Sequence, residues 1–197
     1  MKRLIIIPFI FITSFLFGQI SLGLKAGVNI SNFSGGDFGT LDKSALVGFH
    51  GGGLVHIKFG QLVLQPELVF STQGAKLESS GVESDYKINY VNIPVMLQYE
   101  MTGGFYLEAG LQAGLKLDED IPDASIEDFA KGSDLAIGLG LGYHSKGGFG
   151  IGGRYNVGVS KVGDFDTSNI DPDFQNSVIQ IGIFYTFFNK GKNKSGQ

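Results

Sequence analysis

Between Ile20 and Asn29, apolar and polar positions alternate with almost no error. Ile20, Leu22, Leu24, Ala26 and Val28 fall on one side, and Ser21, Gly23, Lys25, Gly27 and Asn29 on the other. Successive side chains of a strand point to opposite faces, so this segment reads as a strand with two unlike faces. The pattern returns near 45–59, 61–73, 87–100, 104–117, 133–144, 148–160 and 177–188, with no helical period between the repeats. Strands that have no helix to cover their edges protect them by closing on themselves. The predicted fold is therefore all-β, a single eight-stranded antiparallel barrel.

Which face looks outward follows from where the charges lie. In the second repeat Val47, Phe49, Val55, Ile57 and Phe59 oppose His50, His56 and Lys58; in the third, Leu62, Leu64, Pro66, Leu68 and Phe70 oppose Gln65, Glu67 and Gln73. In the fifth, Phe105, Leu107, Leu111 and Leu115 oppose Glu108, Gln112 and Lys116, and the sixth and seventh repeat the arrangement around Asp134, His144 and Arg154. An apolar face free of charge makes a continuous lipid-facing band, which predicts a transmembrane barrel in an outer membrane. The connections agree. Short ones centre on Gly60, on Thr102-Gly103-Gly104 and on Ser145-Lys146-Gly147, whereas long ones run near 31–44, 74–86, 118–132 and 161–176. Short turns on the periplasmic side and long loops outside are the habit of such barrels. Phe59, Tyr99, Phe105, Tyr143, Phe149, Tyr185 and Phe187 gather at strand ends beside the short turns, where they would form an interfacial girdle.

The N-terminus adds a destination. Lys2 and Arg3 precede an apolar run from Leu4 to Phe17 that is followed by Gly18 and Gln19, the arrangement of a secretory signal peptide, and the run is too short for a spanning helix. The expected division is a signal peptide over 1–18, a barrel over 19–189 and a short basic periplasmic tail over 190–197 carrying Lys190, Lys192 and Lys194. Cysteine is absent, which removes disulfides, thiolate chemistry and a lipoprotein anchor.

Three fragments carry a resemblance: Leu64-Gln65-Pro66-Glu67-Leu68, Tyr90-Val91-Asn92-Ile93-Pro94 and Gly153-Arg154-Tyr155-Asn156-Val157-Gly158. With the opening Gly23-Leu24-Lys25-Ala26-Gly27-Val28-Asn29, in this order and spacing, the chain resembles the PorT-like outer-membrane β-barrel family of Bacteroidetes-type bacteria over its whole mature length. The resemblance implies a small exported barrel, in most members without an assigned biochemical activity and in a minority tied to secretion or gliding machinery. The chain departs from the usual ending, since Phe187 and Phe188 are followed by Asn189 to Gln197. The barrel-assembly machinery would have to read an internal signal.

Lys25, Lys58, Lys116 and Arg154 face the interior, as do Glu67, Glu100, Glu108 and Asp134. Eight strands leave an interior just wide enough for side chains, so these charges are expected to pair into a plug that closes the lumen. Paired charges predict a structural or interaction role; the alternative is a narrow channel or transporter for small solutes, or a component of a secretion machinery. His50, His56 and His144 also face inward, but His50 and His56 lie about 20 Å apart along one strand and no third ligand is evident beside His144, so no metal site is expected. His144-Ser145 is a weak hydrolase signal because neighbours on a strand point to opposite faces. Gly148-Phe149-Gly150-Ile151-Gly152-Gly153 matches a dinucleotide fingerprint but opens a strand, with no helix N-terminus for a phosphate. Neither an enzyme nor a cofactor is expected.

The long loops are acidic, with Asp118, Glu119, Asp120, Asp123, Glu127 and Asp128 in the third and Asp164, Asp166, Asp171 and Asp173 in the fourth. They read as a solvated outer surface, with divalent-cation bridging to lipopolysaccharide as the sharper reading. The expected partners are outer-membrane lipid, lipopolysaccharide and the assembly machinery. A net charge of −4 with no basic patch beyond the tail disfavours nucleic acid.

Overall fold

The computed structural model describes residues 19–35, 42–79, 82–121, 131–160 and 174–187. The expected signal segment 1–18, the tail 190–197 and the acidic residues from Asp123 to Asp128 and from Asp164 to Asp173 lie outside them. Eight strands run in chain order: β1 (Gln19–Gly35), β2 (Asp42–Phe59), β3 (Leu62–Ser79), β4 (Val82–Glu100), β5 (Phe105–Asp120), β6 (Ser133–His144), β7 (Phe149–Gly158) and β8 (Phe174–Phe187). Each pairs antiparallel with the next, and β1 pairs with β8 from Leu22↔Phe187 to Gly35↔Phe174, so the sheet closes and leaves no edge.

The facing assignments hold along every wall. Leu111, Leu139 and Leu141 are about 60% exposed on the outside (66%, 58% and 63%), while Gln98, Glu108, Gln112 and Arg154 are buried within. The aromatic side chains beside the short turns point outward, and Phe105 and Tyr143, paired across β5 and β6, meet with ring centroids 5.3 Å apart. The turn after β6 differs slightly from expectation. Its left-handed residue is Gly148 (φ 91°) rather than Gly147.

Strand lengths are unequal. β3 and β4 have 18 and 19 residues, whereas β6 and β7 have 12 and 10. A tilted strand needs only about 9–11 residues to cross the hydrocarbon layer, so the surplus of β1 to β5 stands beyond it at the long-loop end. Charge marks that level: on the outer face there, Lys87 meets Asp85 at 2.9 Å and Lys76 meets it at 4.0 Å.

The lumen is less uniformly polar than alternation alone suggests. At the long-loop end Phe33, Ala75, Leu77, Ile88, Tyr90 and Phe174 form an inward apolar cap, with the Phe33 and Phe174 rings 4.6 Å apart. Nearer the short turns Leu54, Tyr106 and Phe184 pack together inside the barrel. An aliphatic or aromatic side chain that fills space between polar layers adds dispersion contacts without needing a hydrogen-bond partner.

The outer band yields the first prediction. Leu139 lies mid-strand on the lipid face, and arginine there costs about 2–4 kcal/mol near the bilayer midplane. Urea unfolding in lipid vesicles should show Leu139→Arg destabilised by that amount and Leu139→Phe within about 1 kcal/mol of the parent, since the exchange keeps an apolar surface in lipid.

Candidate functional site

Every odd-numbered strand contributes one charged side chain to a single layer across the lumen. Arg154 on β7 donates from Nε to Glu108 Oε1 on β5 (2.7 Å) and from Nη2 to Glu108 Oε2 (3.2 Å). The same guanidinium donates from Nη2 and Nη1 to the two oxygens of Glu67 on β3, at 2.7 and 3.2 Å. Lys25 on β1 reaches Glu67 Oε2 at 2.8 Å. Two cations and two carboxylates make a neutral cluster, and the flat fork of arginine suits two bidentate carboxylates where lysine would not. The carboxylates are held further by Gln65, which donates to Glu67 Oε1 (2.8 Å), and Gln98, which donates to Glu108 Oε2 (2.9 Å).

The register explains how β5 and β7 meet across an intervening strand. Gly140 on β6 pairs with both Glu108 and Arg154, and it faces inward with no side chain. A Cβ there would lie 2.6 Å from Glu108 Oε1. Glycine leaves the gap that the ion pair spans. Gly142 and Gly152 make similar room for the Tyr106 hydroxyl, which would sit 2.5 and 2.4 Å from a Cβ at those positions. Beside Arg154 the space lined by Lys25, His50, Tyr106 and Glu108 amounts to 30 Å³, on the scale of one water molecule.

Above this layer lies an uncharged one. Asn29 accepts from Gln180 (3.2 Å), shares a 2.8 Å hydrogen bond with His50 Nδ1 and donates to Ser71 Oγ (2.9 Å), while Asn176 donates to Gln73 (2.6 Å). These bonds tie β8, β1, β2 and β3 together.

The remaining predicted charges do not join one network. Lys58 pairs with Glu100 at the short-turn mouth. Lys116 pairs with Glu119 at 3.2 Å, three residues along its own strand. Strict alternation would put Glu119 on the lipid side with Leu115; a register shift between Asn89/Tyr90 inserts an extra residue at Leu117 and turns Glu119 inward. Asp134 accepts from Ser160 Oγ at 2.8 Å and, among the described residues, has no ion pair. The expectation that Lys116 and Asp134 belong to the central plug is thus corrected.

At the short-turn mouth a cavity of 570 Å³ is lined by Ser21, His56, Lys58, Glu100, His144, Lys146 and Thr186, among others. The third ligand that the sequence reading missed beside His56 and His144 is Glu100: one ligand atom from each of the three lies within 4.8 Å of the others. The shared inward parity of the three residues was visible in the sequence. Their common height was not, because it depends on the stagger of strands around the closed barrel. His50 stands apart from them, as expected.

With the geometry described, kinship can be stated. Residues 14–164 match the family described as Outer membrane protein beta-barrel domain, more than half of the chain. The chain belongs to this family. It is accordingly a protein of the bacterial outer membrane. Among solved structures, the Neisserial surface protein A is similar over 84% of this chain and 97% of its own, with a TM-score of 0.52 and 13% identity. The attachment invasion locus protein of Yersinia pestis is 17% identical over 86% of this chain and 99% of its own (TM-score 0.48). The outer membrane protein OprG from Pseudomonas aeruginosa is 14% identical over 86% and 97% (TM-score 0.48). No curated protein matches.

The central cluster gives a second prediction. Removing one member of a buried, hydrogen-bonded ion pair leaves its partners charged and uncompensated, at about 3–5 kcal/mol. Equilibrium unfolding in detergent micelles should show Arg154→Ala destabilised by that amount. Lys87→Ala, which breaks the exposed pair with Asp85, should stay within about 1 kcal/mol of the parent.

Proposed function

We propose that the protein is a closed-lumen barrel with a structural or interaction role, presenting its surplus strand length and acidic loops outward, and that it is neither an enzyme nor a carrier of an organic cofactor. The observation that supports this reading is the Arg154–Glu67–Glu108–Lys25 layer, which fills the cross-section with side chains that satisfy one another. Solutes would have to part four charges held by charge-assisted hydrogen bonds. The apolar cap of Phe33, Leu77, Ile88, Tyr90 and Phe174 obstructs the opposite end.

In this reading the chain enters the export route on a signal peptide at 1–18 and is inserted by the barrel-assembly machinery. It meets lipid on its outer band and lipopolysaccharide at its acidic rim. The finer kinship with PorT-like barrels rests on the Leu64–Leu68, Tyr90–Pro94 and Gly153–Gly158 fragments. Among these, Glu67 and Arg154 are the partners of the central cluster, which gives that shared pattern a physical reason.

One observation favours the channel alternative. The side-chain amide nitrogens of Asn92 and Asn156, and the amide oxygen of Asn156, are buried without a partner among the described residues. Buried amides of this kind bind water, and a chain of water could cross where a solute could not.

Reconstitution into planar bilayers separates the two. The closed reading predicts no steady single-channel conductance from the parent protein. Conductance whose ion selectivity changes with Glu108→Ala would establish the channel reading in its place.

A further inference from the structure

The even-numbered strands place His56 (β2), Glu100 (β4) and His144 (β6) around one point at the floor of the 570 Å³ cavity, and for the neutral imidazoles their hydrogen bonds fix which nitrogen carries the proton. Gln65 donates its amide to Glu67, which turns its Oε1 toward His56 Nδ1 at 3.1 Å; His56 Nδ1 must therefore be the donor. That leaves a lone pair on His56 Nε2. This atom is buried, has no hydrogen-bond partner among the described residues and lies 3.5 Å from Glu100 Oε1. Thr186 donates its hydroxyl to Gly148 O (3.3 Å) and accepts from His144 Nε2 (3.1 Å). The lone pair of His144 then sits on Nδ1, 3.2 Å from the same Glu100 oxygen.

Two imidazole lone pairs facing one carboxylate oxygen repel it unless a cation, either a proton or a metal ion, lies between them. We propose that His56 Nε2, His144 Nδ1 and Glu100 Oε1 form a binding site for a divalent transition-metal ion, with zinc as the reference ion. Ligands about 2.0–2.1 Å from zinc in tetrahedral array stand roughly 3.3 Å from each other; the two separations from Glu100 Oε1, 3.2 and 3.5 Å, match that spacing, and the three ligand atoms as a set lie within 4.8 Å, so the two imidazoles draw together when the ion is bound. Imidazole nitrogen with a carboxylate is a donor set that zinc accepts, and three protein ligands leave a fourth position open to the cavity. The outer partners are of the kind that orient metal ligands: Gln65 on His56, Thr186 on His144, and Lys58 on the second oxygen of Glu100. Lys58 also adds positive charge beside the site, which lowers affinity without removing a ligand.

The same residues could be taken for a threonine, histidine and glutamate triad. The backbone N–H groups of Gly104, His144, Gly148 and Thr186 all donate to carbonyls of the turns, so they provide no pair to hold an oxyanion. A triad would also give His56 no part.

The test uses the untagged chain, folded in detergent micelles, stripped with a chelator and titrated with zinc chloride against a chromophoric competitor. One zinc ion per barrel is expected, with His56→Ala and His144→Ala each weakening binding at least 100-fold and Gln65→Ala about 10–100-fold. Asp85→Asn, which alters an exposed carboxylate on the outer wall, should bind as the parent does. Heat-dependent migration on electrophoresis confirms that each variant is folded. X-ray absorption of the zinc-loaded parent supplies a reading independent of any variant, and imidazole scattering is expected. A folded parent that takes up no zinc above the micelle blank would overturn the proposal, as would unchanged affinity in folded His56→Ala and His144→Ala, or an all-oxygen coordination sphere.

Discussion

A single guanidinium spans the centre of this barrel, and the geometry around it depends on its being fully paired. Arg154 and Arg3 are the arginines of the chain, so the barrel holds one. From β7, Arg154 grips Glu108 on β5 and Glu67 on β3, and Glu67 in turn holds Lys25 on β1. Four strands that share no ladder are thereby fixed at one height. An unpaired guanidinium at this depth would be severely penalised, so every neighbouring choice serves its pairing: two carboxylates, two glutamines that orient them and a glycine that removes the obstruction between β5 and β7. The outer face can then be wholly apolar, because the charges at membrane depth are turned inward, where Arg154, Lys25, Glu67 and Glu108 are matched with one another and Asp134 is held by Ser160.

Alternate strands supplying alternate layers is a consequence of closing a tilted sheet, in which neighbouring strands are staggered along the axis. Here the odd strands supply the charge layer and the even strands supply the mouth, where His56, Glu100, His144 and Thr186 meet. Large side chains in one layer need empty positions in the next. Phe184 illustrates this, since a Cβ on Gly150 would lie 2.1 Å from its ring. Much of the glycine in the sequence is thus internal spacing for the plug and not turn chemistry.

Strand period and facing were legible in the sequence because they depend only on neighbours in the chain, and the eight walls, the closed order and the buried set around Glu67, Glu108 and Arg154 follow the expected parity. What depends on strand stagger or on a local irregularity was not. The run of acidic residues puts Glu119 in a solvated loop, whereas the bulge at Leu117 brings it inside against Lys116. Parity makes Glu100 a lumen charge, yet its place between His56 and His144 depends on how far β2, β4 and β6 are offset. The inward Phe33, Leu77 and Phe174 were hidden for a different reason. They lie in strand extensions beyond the lipid band, where the rule of apolar outside and polar inside ceases to apply.

The central claim, that the lumen is closed by a paired Arg154, is tested most directly by nuclear magnetic resonance of residues 19–197 in lipid nanodiscs. With one arginine in the barrel, its Nε–H gives one resonance, free of overlap. A donor held at 2.7 Å by Glu108 and shut away from bulk water is predicted to exchange slowly and to persist after transfer into deuterated buffer. Exchange as fast as that of a free arginine side chain would show an open, hydrated lumen and contradict the account.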